Sequence, residues 1–171
     1  MHRILFVCHG NICRSTMAQF VMEDLVRKAG RGDEFLIDSA ATSTEELGNP
    51  PHPGTVERLR RAGVPVGAHR ARQVRRDEYD SWGLIVYMDG ENRRGLARIF
   101  GGDPAGKCRA LLSFAGMDRD VADPWYTGDF DATYRDVLAG CQALGQRYHV
   151  PLSQAAARAG ARARGTRFLE L

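Results

Sequence analysis

The sequence predicts an α/β fold: a single three-layer domain with a central, mostly four-stranded parallel sheet flanked by helices. Three observations carry that expectation. Strand-like runs alternate with helical patterns along the chain, the order that builds parallel strands joined by crossover helices. The strand-like runs are continuously apolar, as strands covered on both faces are. With 43% hydrophobic residues in 171, one core suffices, because a domain near this length buries roughly 68–70% of its unfolded surface.

The elements follow in order. Ile4-Leu5-Phe6-Val7 is a buried strand ended by Gly10. Residues 16–30 place Met17, Phe20, Val21, Leu25 and Val26 at helical spacing, with Gly30 as the stop. Residues 35–37 form a second short strand, and residues 40–53 a Thr/Ser/Gly/Pro-rich loop carrying the acidic pair Glu45-Glu46. A helix over 55–62 closes at Gly63. Residues 84–88 are a third buried strand, followed by a helix over 91–100. Residues 109–114 read as the fourth strand. A long helix from Phe130 to about His149 holds Tyr134, Val137, Leu138, Cys141 and Leu144 on roughly one face. After Pro151 the chain becomes an Ala/Arg/Gly-rich tail of low complexity, expected to be frayed or disordered.

Charge and cysteine content exclude several function classes. The chain carries 24 Lys+Arg against 21 Asp+Glu, but residues 152–171 hold four arginines and one acid, leaving 20 bases and 20 acids over residues 1–151. The body therefore lacks the broad basic field that nucleic acid binding requires. Four cysteines without C-x-x-C spacing and five scattered histidines fit neither a disulfide scaffold nor a structural zinc site. No apolar run approaches the length of a signal core or a membrane span, so a cytoplasmic location is the expectation.

The chemistry concentrates where the first strand ends. It runs into Cys8-His9-Gly10-Asn11-Ile12-Cys13-Arg14-Ser15 and then straight into a helix. Such a junction lies at the carboxyl edge of a parallel sheet, where ligands bind. Loop N–H groups and a helix N-terminus together cradle an anion and favour a thiolate at Cys8. Arg14 can fold over the bowl, its planar fork matching two oxygens of a phosphoryl group, and Ser15 can donate to the sulfur. The spacing alone is weak, because Cys141 and Arg147 repeat it inside a helix with no preceding strand. Only the first copy has the strand, the Gly10-Asn11 turn and the helix start. Elsewhere, Asp123-Pro124 taken alone reads as a turn, His69 as a partly exposed histidine in a basic segment, and Asp89 as a helix N-cap.

The loop around Cys8 resembles the signature of the low-molecular-weight protein tyrosine phosphatases. The resemblance continues through Asp38-Ser39-Ala40-Ala41-Thr42, His69-Arg70-Ala71-Arg72-Gln73, Met88-Asp89 and Asp123-Pro124-Trp125-Tyr126, in the family's order over about residues 3–148. It implies a phosphatase domain over residues 1–151, with Cys8 as nucleophile, Arg14 holding the phosphoryl group, and Asp123 as acid and then base. His9, Gly10, Asn11, Ile12, Cys13 and Ser15 would form the phosphate-binding loop. Ser39 would hold Asn11; His69 and Asp38 would pair behind the loop and fix Ser15; Asp89 would point to the same rim. Trp125 and Tyr126 would form one pocket wall, with Glu45-Glu46 where many family members carry a Trp. Cys13 would bridge reversibly to Cys8, although a space-filling role remains open for it.

The resemblance further implies phosphotyrosine-containing protein substrates, a monomer, and no metal or other cofactor. Related protein arginine phosphatases tend to have Thr where this chain has Ile12, which favours the tyrosine reading over phosphoarginine. Thiol-dependent arsenate reductases share the loop but need further cysteines, typically in a segment that here spans residues 75–95 and contains none. A binding module without turnover would not need Cys8, Arg14 and Asp123 together.

Overall fold

The computed structural model of the chain describes residues 1–152. The expectation for the tail lies outside them, except for Leu152. Four strands, β1 (His2–Cys8), β2 (Phe35–Ala41), β3 (Leu84–Tyr87) and β4 (Cys108–Ala110), pair in the order β2-β1-β3-β4, all in parallel. Five helices accompany them: α1 (Arg14–Lys28), α2 (Pro53–Arg61), α3 (Gly90–Phe100), α4 (Pro124–Thr127) and α5 (Phe130–Arg147). No described helix is long and apolar enough to cross a membrane.

The period of two along β1 divides the core. Ile4, Phe6 and Cys8 face one way, into a cluster with Met17, Val21 and Met22 of α1 and Val137, Cys141 and Leu144 of α5. Leu5 and Val7 face the other way and pack with Trp82, Ile85 and Leu96. Both faces of the sheet are thus covered, which is why its strands read as unbroken apolar runs.

Two expected elements differ. β2 extends to Ala41, four residues beyond the expected strand. Its added part contains Asp38 and Ser39, whose polarity hid it from a hydrophobic reading. Both keep their ladder partners on β1, Leu5 and Phe6, because their side chains find partners too. The apolar run after Lys107 stays extended only over β4, then winds into a 3₁₀ turn, Leu111–Ala115. The turn drops Leu111 and Leu112 into the core beneath α5. Gly140 of α5 permits that approach, since a Cβ there would lie 2.5 Å from Leu111 Cγ.

Topology places the site. From β1 the chain steps to β2 on one side, then crosses to β3 on the other. The carboxyl end of β1 is therefore the point where the strand order reverses, with a crevice above it.

Candidate active site

Residues 9–13 connect β1 to α1 and wrap around this crevice. Carbonyls at both ends of this turn are tied down. Cys8 O accepts from Thr42 N at 3.0 Å, His9 O from Ser43 N at 3.1 Å, Ile12 O from His52 N at 2.8 Å and Cys13 O from Met17 N at 3.0 Å. Among the described residues, no backbone N–H of residues 10–13 donates to a protein acceptor. Cys13, the N-cap of α1, supplies no side-chain cap. Unpaired N–H donors and an uncapped helix N-terminus therefore border one crevice, an arrangement suited to an anion.

Asn11 fixes the shape of the ring. Its φ of 60° lies in the left-handed region that asparagine tolerates. Its Oδ1 accepts from the Arg72 backbone N–H at 3.2 Å, and that donor settles the amide's orientation. The Nδ2 protons go to Ser15 Oγ and Ser39 Oγ, both at 2.9 Å. Ser39 donates onward to Gln19 Oε1 at 2.6 Å. With its oxygen taken by Asn11, the Ser15 hydroxyl can direct its own proton to Cys8 Sγ, 3.0 Å away. The network thus points a donor at the sulfur.

His69 joins this network at Asn11. Its Nε2 lies 3.1 Å from Asn11 Oδ1 and 3.3 Å from Asn11 O. Both are acceptors, so Nε2 carries the proton. Burial lowers the His69 pKa, and the bond to Asn11 and nearby Asp38 only partly offset it. The expected hydrogen bond between His69 and Asp38 is not formed. Asp38 instead accepts from Arg72 Nη2 at 3.0 Å and from the Ser39 N–H at 2.8 Å. His69 reaches Ser15 only through Asn11. The physical reason is Arg72, whose fork also grips the buried Glu78 with bonds of 3.1 and 3.0 Å and outcompetes an imidazole for the carboxylate.

Arg14 lies at the base of the crevice and is 2% exposed. Its Nη1 donates to Asp89 Oδ2 at 2.5 Å and to Val121 O at 3.0 Å. Its Nη2 donates to Asp123 Oδ2 at 3.3 Å. Burial opposes the charge, but Cys8, Asp89 and Asp123 outweigh it and raise the Arg14 pKa. Its Nε is buried with no partner. Asp89 serves two ends at once, because its Oδ1 also caps α3 by accepting from Asn92 N at 2.8 Å.

Asp123 reaches the pocket from the N-cap of α4, its Oδ1 accepting from Trp125 N at 3.0 Å. The pocket is lined by Cys8, Arg14 and Asp123, by His9, Gly10, Ile12 and Cys13 of the loop, and by Trp125, Tyr126, Glu45 and Glu46. Trp125 and Tyr126 are 58% and 83% exposed. Cys13 is a buried free thiol. Burial, with Cys8 and Asp123 adding to it, pushes its pKa up to about 12.

Three contributors escaped the sequence reading. Gln19 had a signal, an amide one turn beyond Ser15 on the same helix. Arg72 lies within the segment His69-Arg70-Ala71-Arg72-Gln73, where its residue type does not set it apart from the chain's other arginines. Val121 acts through its carbonyl, which no residue type announces.

The chain matches the family described as low molecular weight phosphotyrosine protein phosphatase over residues 3–154. It is 39% identical over 146 residues to the low molecular weight protein-tyrosine-phosphatase YfkJ of Bacillus subtilis, covering 84% of this chain and 94% of that one. The crystal structure of YfkJ superposes with a TM-score of 0.83 at 38% identity, covering 87% of this chain and 97% of that chain. A low molecular weight phosphotyrosine protein phosphatase of Sus scrofa is 36% identical over 148 residues, covering 82% and 92% of the two chains. The structure of a Drosophila arginine phosphatase gives a TM-score of 0.76 at 28% identity, covering 85% of this chain and 97% of that one.

Proposed function

The chain belongs to the low molecular weight phosphotyrosine protein phosphatase family, and on that premise we propose that it hydrolyses phosphotyrosine in proteins through a phosphocysteine at Cys8. The observation that carries this reading is the seat for an anion beside the Cys8 sulfur: free loop N–H groups, an uncapped helix N-terminus and the unpartnered Arg14 Nε. In the first step the Cys8 thiolate attacks phosphorus and the bond to the phenolic oxygen breaks. Asp123 supplies the proton that the leaving phenolate takes up. In the second step the Asp123 carboxylate takes a proton from water. The water oxygen bonds to phosphorus, the sulfur–phosphorus bond breaks, and the thiolate returns with the Ser15 hydroxyl donating to it. Charge on the equatorial oxygens is met by Arg14 and the loop N–H groups throughout.

Trp125 and Tyr126 support an aromatic substrate, which they can flank while its phosphoryl group reaches the floor. A second reading, phosphoarginine hydrolysis, is favoured by the likeness to an arginine phosphatase. Peptides carrying phosphotyrosine, phosphoserine or phosphoarginine at one position discriminate between them. Phosphotyrosine should give the highest kcat/KM, and a higher value for phosphoarginine would replace the first reading by the second.

Cys13 completes the proposal as a resolving cysteine. Peroxide converts the Cys8 thiolate to a sulfenic acid with release of hydroxide; Cys13 sulfur then attacks that sulfur, forming a disulfide and expelling water. Part of what keeps Cys13 protonated is the charge on Cys8, and that part vanishes once Cys8 is oxidised. Peroxide-treated wild type should recover activity in dithiothreitol, whereas Cys13→Ser should stay inactive. Equal recovery would remove the role.

A further inference from the structure

The two sides of the pocket lip differ in chemistry. α4 contributes the indole of Trp125 and the phenol of Tyr126, while the segment between β2 and α2 contributes Glu45 and Glu46. Neither carboxylate pairs with a Lys or Arg among the described residues. Glu45 Oε2 lies 2.9 Å from His9 Nε2, and Glu46 Oε2 accepts from Asn49 Nδ2 at 2.6 Å.

The acidic segment is held against the loop below it. Ser43 uses both its N–H, at 3.1 Å, and its hydroxyl, at 2.8 Å, on His9 O. At the far end, Gly48 N donates to Ala71 O and His52 N to Ile12 O, each at 2.8 Å. Between these ties the stem of Glu46 lies over Gly10, where a Cβ would be 3.2 Å from Glu46 Cγ. Gly10 thus lets the carboxylates sit directly on the lip of the anion seat.

The floor and the lip make opposite demands. Arg14, 2% exposed and with its Nε unpartnered, and the unpaired loop N–H groups call for an anionic group at the floor. A phosphorylated segment reaching it crosses a lip that carries two carboxylates on one side. Acidic neighbours of the phosphorylated residue would meet like charge there, whereas an ammonium or guanidinium can form charge-assisted hydrogen bonds to the same oxygens.

Resting on the phosphotyrosine reading above, we propose that Glu45 and Glu46 determine specificity by selecting phosphotyrosines flanked by Lys or Arg and rejecting those flanked by Asp or Glu. The Glu45 side chain is 70% exposed, so each pairing is modest and salt-sensitive.

The test uses the full chain and three phosphotyrosine peptides of one length, flanked by Lys, Ala or Glu, with para-nitrophenyl phosphate alongside. In wild type at low salt, kcat/KM for the Lys peptide should exceed that for the Glu peptide by about tenfold. The ratio should fall toward unity near 1 M salt, where the screening length is about 3 Å. In Glu45→Gln/Glu46→Gln it should shrink to about twofold or less, and exposed-site Glu45→Arg should shift the order toward the Glu peptide. Equal kcat/KM for the three peptides in wild type, or an undiminished preference in both variants, would overturn the proposal while leaving the phosphatase reading intact. Failure of wild type to turn over any of the peptides or para-nitrophenyl phosphate would instead bring down the reading beneath it.

Discussion

Cys8→Ser should lower kcat on para-nitrophenyl phosphate by about 10⁴-fold or more, yet the variant should still bind inorganic phosphate. The substitution exchanges one atom in a site whose binding elements come from elsewhere. The seat is made of loop N–H groups whose carbonyls are anchored to Thr42, Ser43, His52 and Met17, and of Arg14, anchored by Asp89 and Val121. None of these anchors passes through the sulfur. What is lost is the sulfur nucleophile, and with it the purpose of the Ser15 hydroxyl 3.0 Å away. Activity by initial rates and phosphate binding by calorimetry separate the two effects. A variant that keeps turnover would refute the role of Cys8.

Asp123→Asn should lower kcat/KM, which reports the first step alone, by about 10²–10⁴-fold for phenyl phosphate and far less for para-nitrophenyl phosphate, whose leaving group needs little protonation. Asn is the better variant than Ala for a structural reason. Asp123 Oδ1 caps α4 through Trp125 N, and Ala at an N-cap costs about 0.5–2 kcal/mol, loosening the aromatic wall as well. Asn keeps a capping oxygen, while its amide nitrogen replaces the Oδ2 that carries the proton and faces Arg14 Nη2. If both substrates lost the same factor, Asp123 would be a structural cap with no acid role.

Sequence signals were strongest where apolar continuity and local chemistry coincide. β1, β3, α1 and α5 are apolar enough to announce themselves, and the loop after β1 carries its chemistry in consecutive residues. Boundaries failed where side-chain partners, not hydrophobicity, hold the backbone. β2 continues through Asp38 and Ser39 because Arg72, Asn11 and Gln19 satisfy them. The run after Lys107 is apolar but leaves the sheet, because Leu111 is drawn beneath Gly140. The partner of Asp38 differs from the sequence expectation for the same reason. Choosing between His69 and Arg72 requires knowing which of them the buried Glu78 already holds in place, a long-range fact. For Asp89 a helix cap and a place on the rim were both legible; its bond to Arg14 was not, and its two oxygens serve both ends.

The most direct test of the central claim is to find the phosphorus during turnover. Asp123→Asn mixed with para-nitrophenyl phosphate should complete the first step, which needs no acid for so good a leaving group, and stall at the second, which needs a base. Rapid quenching followed by peptide mass spectrometry should then locate a phosphoryl group on Cys8, formed together with a burst of nitrophenol that matches the enzyme concentration. A phosphoryl group on His69 or any other residue, or nitrophenol release with no phosphorylated enzyme, would contradict the phosphocysteine route.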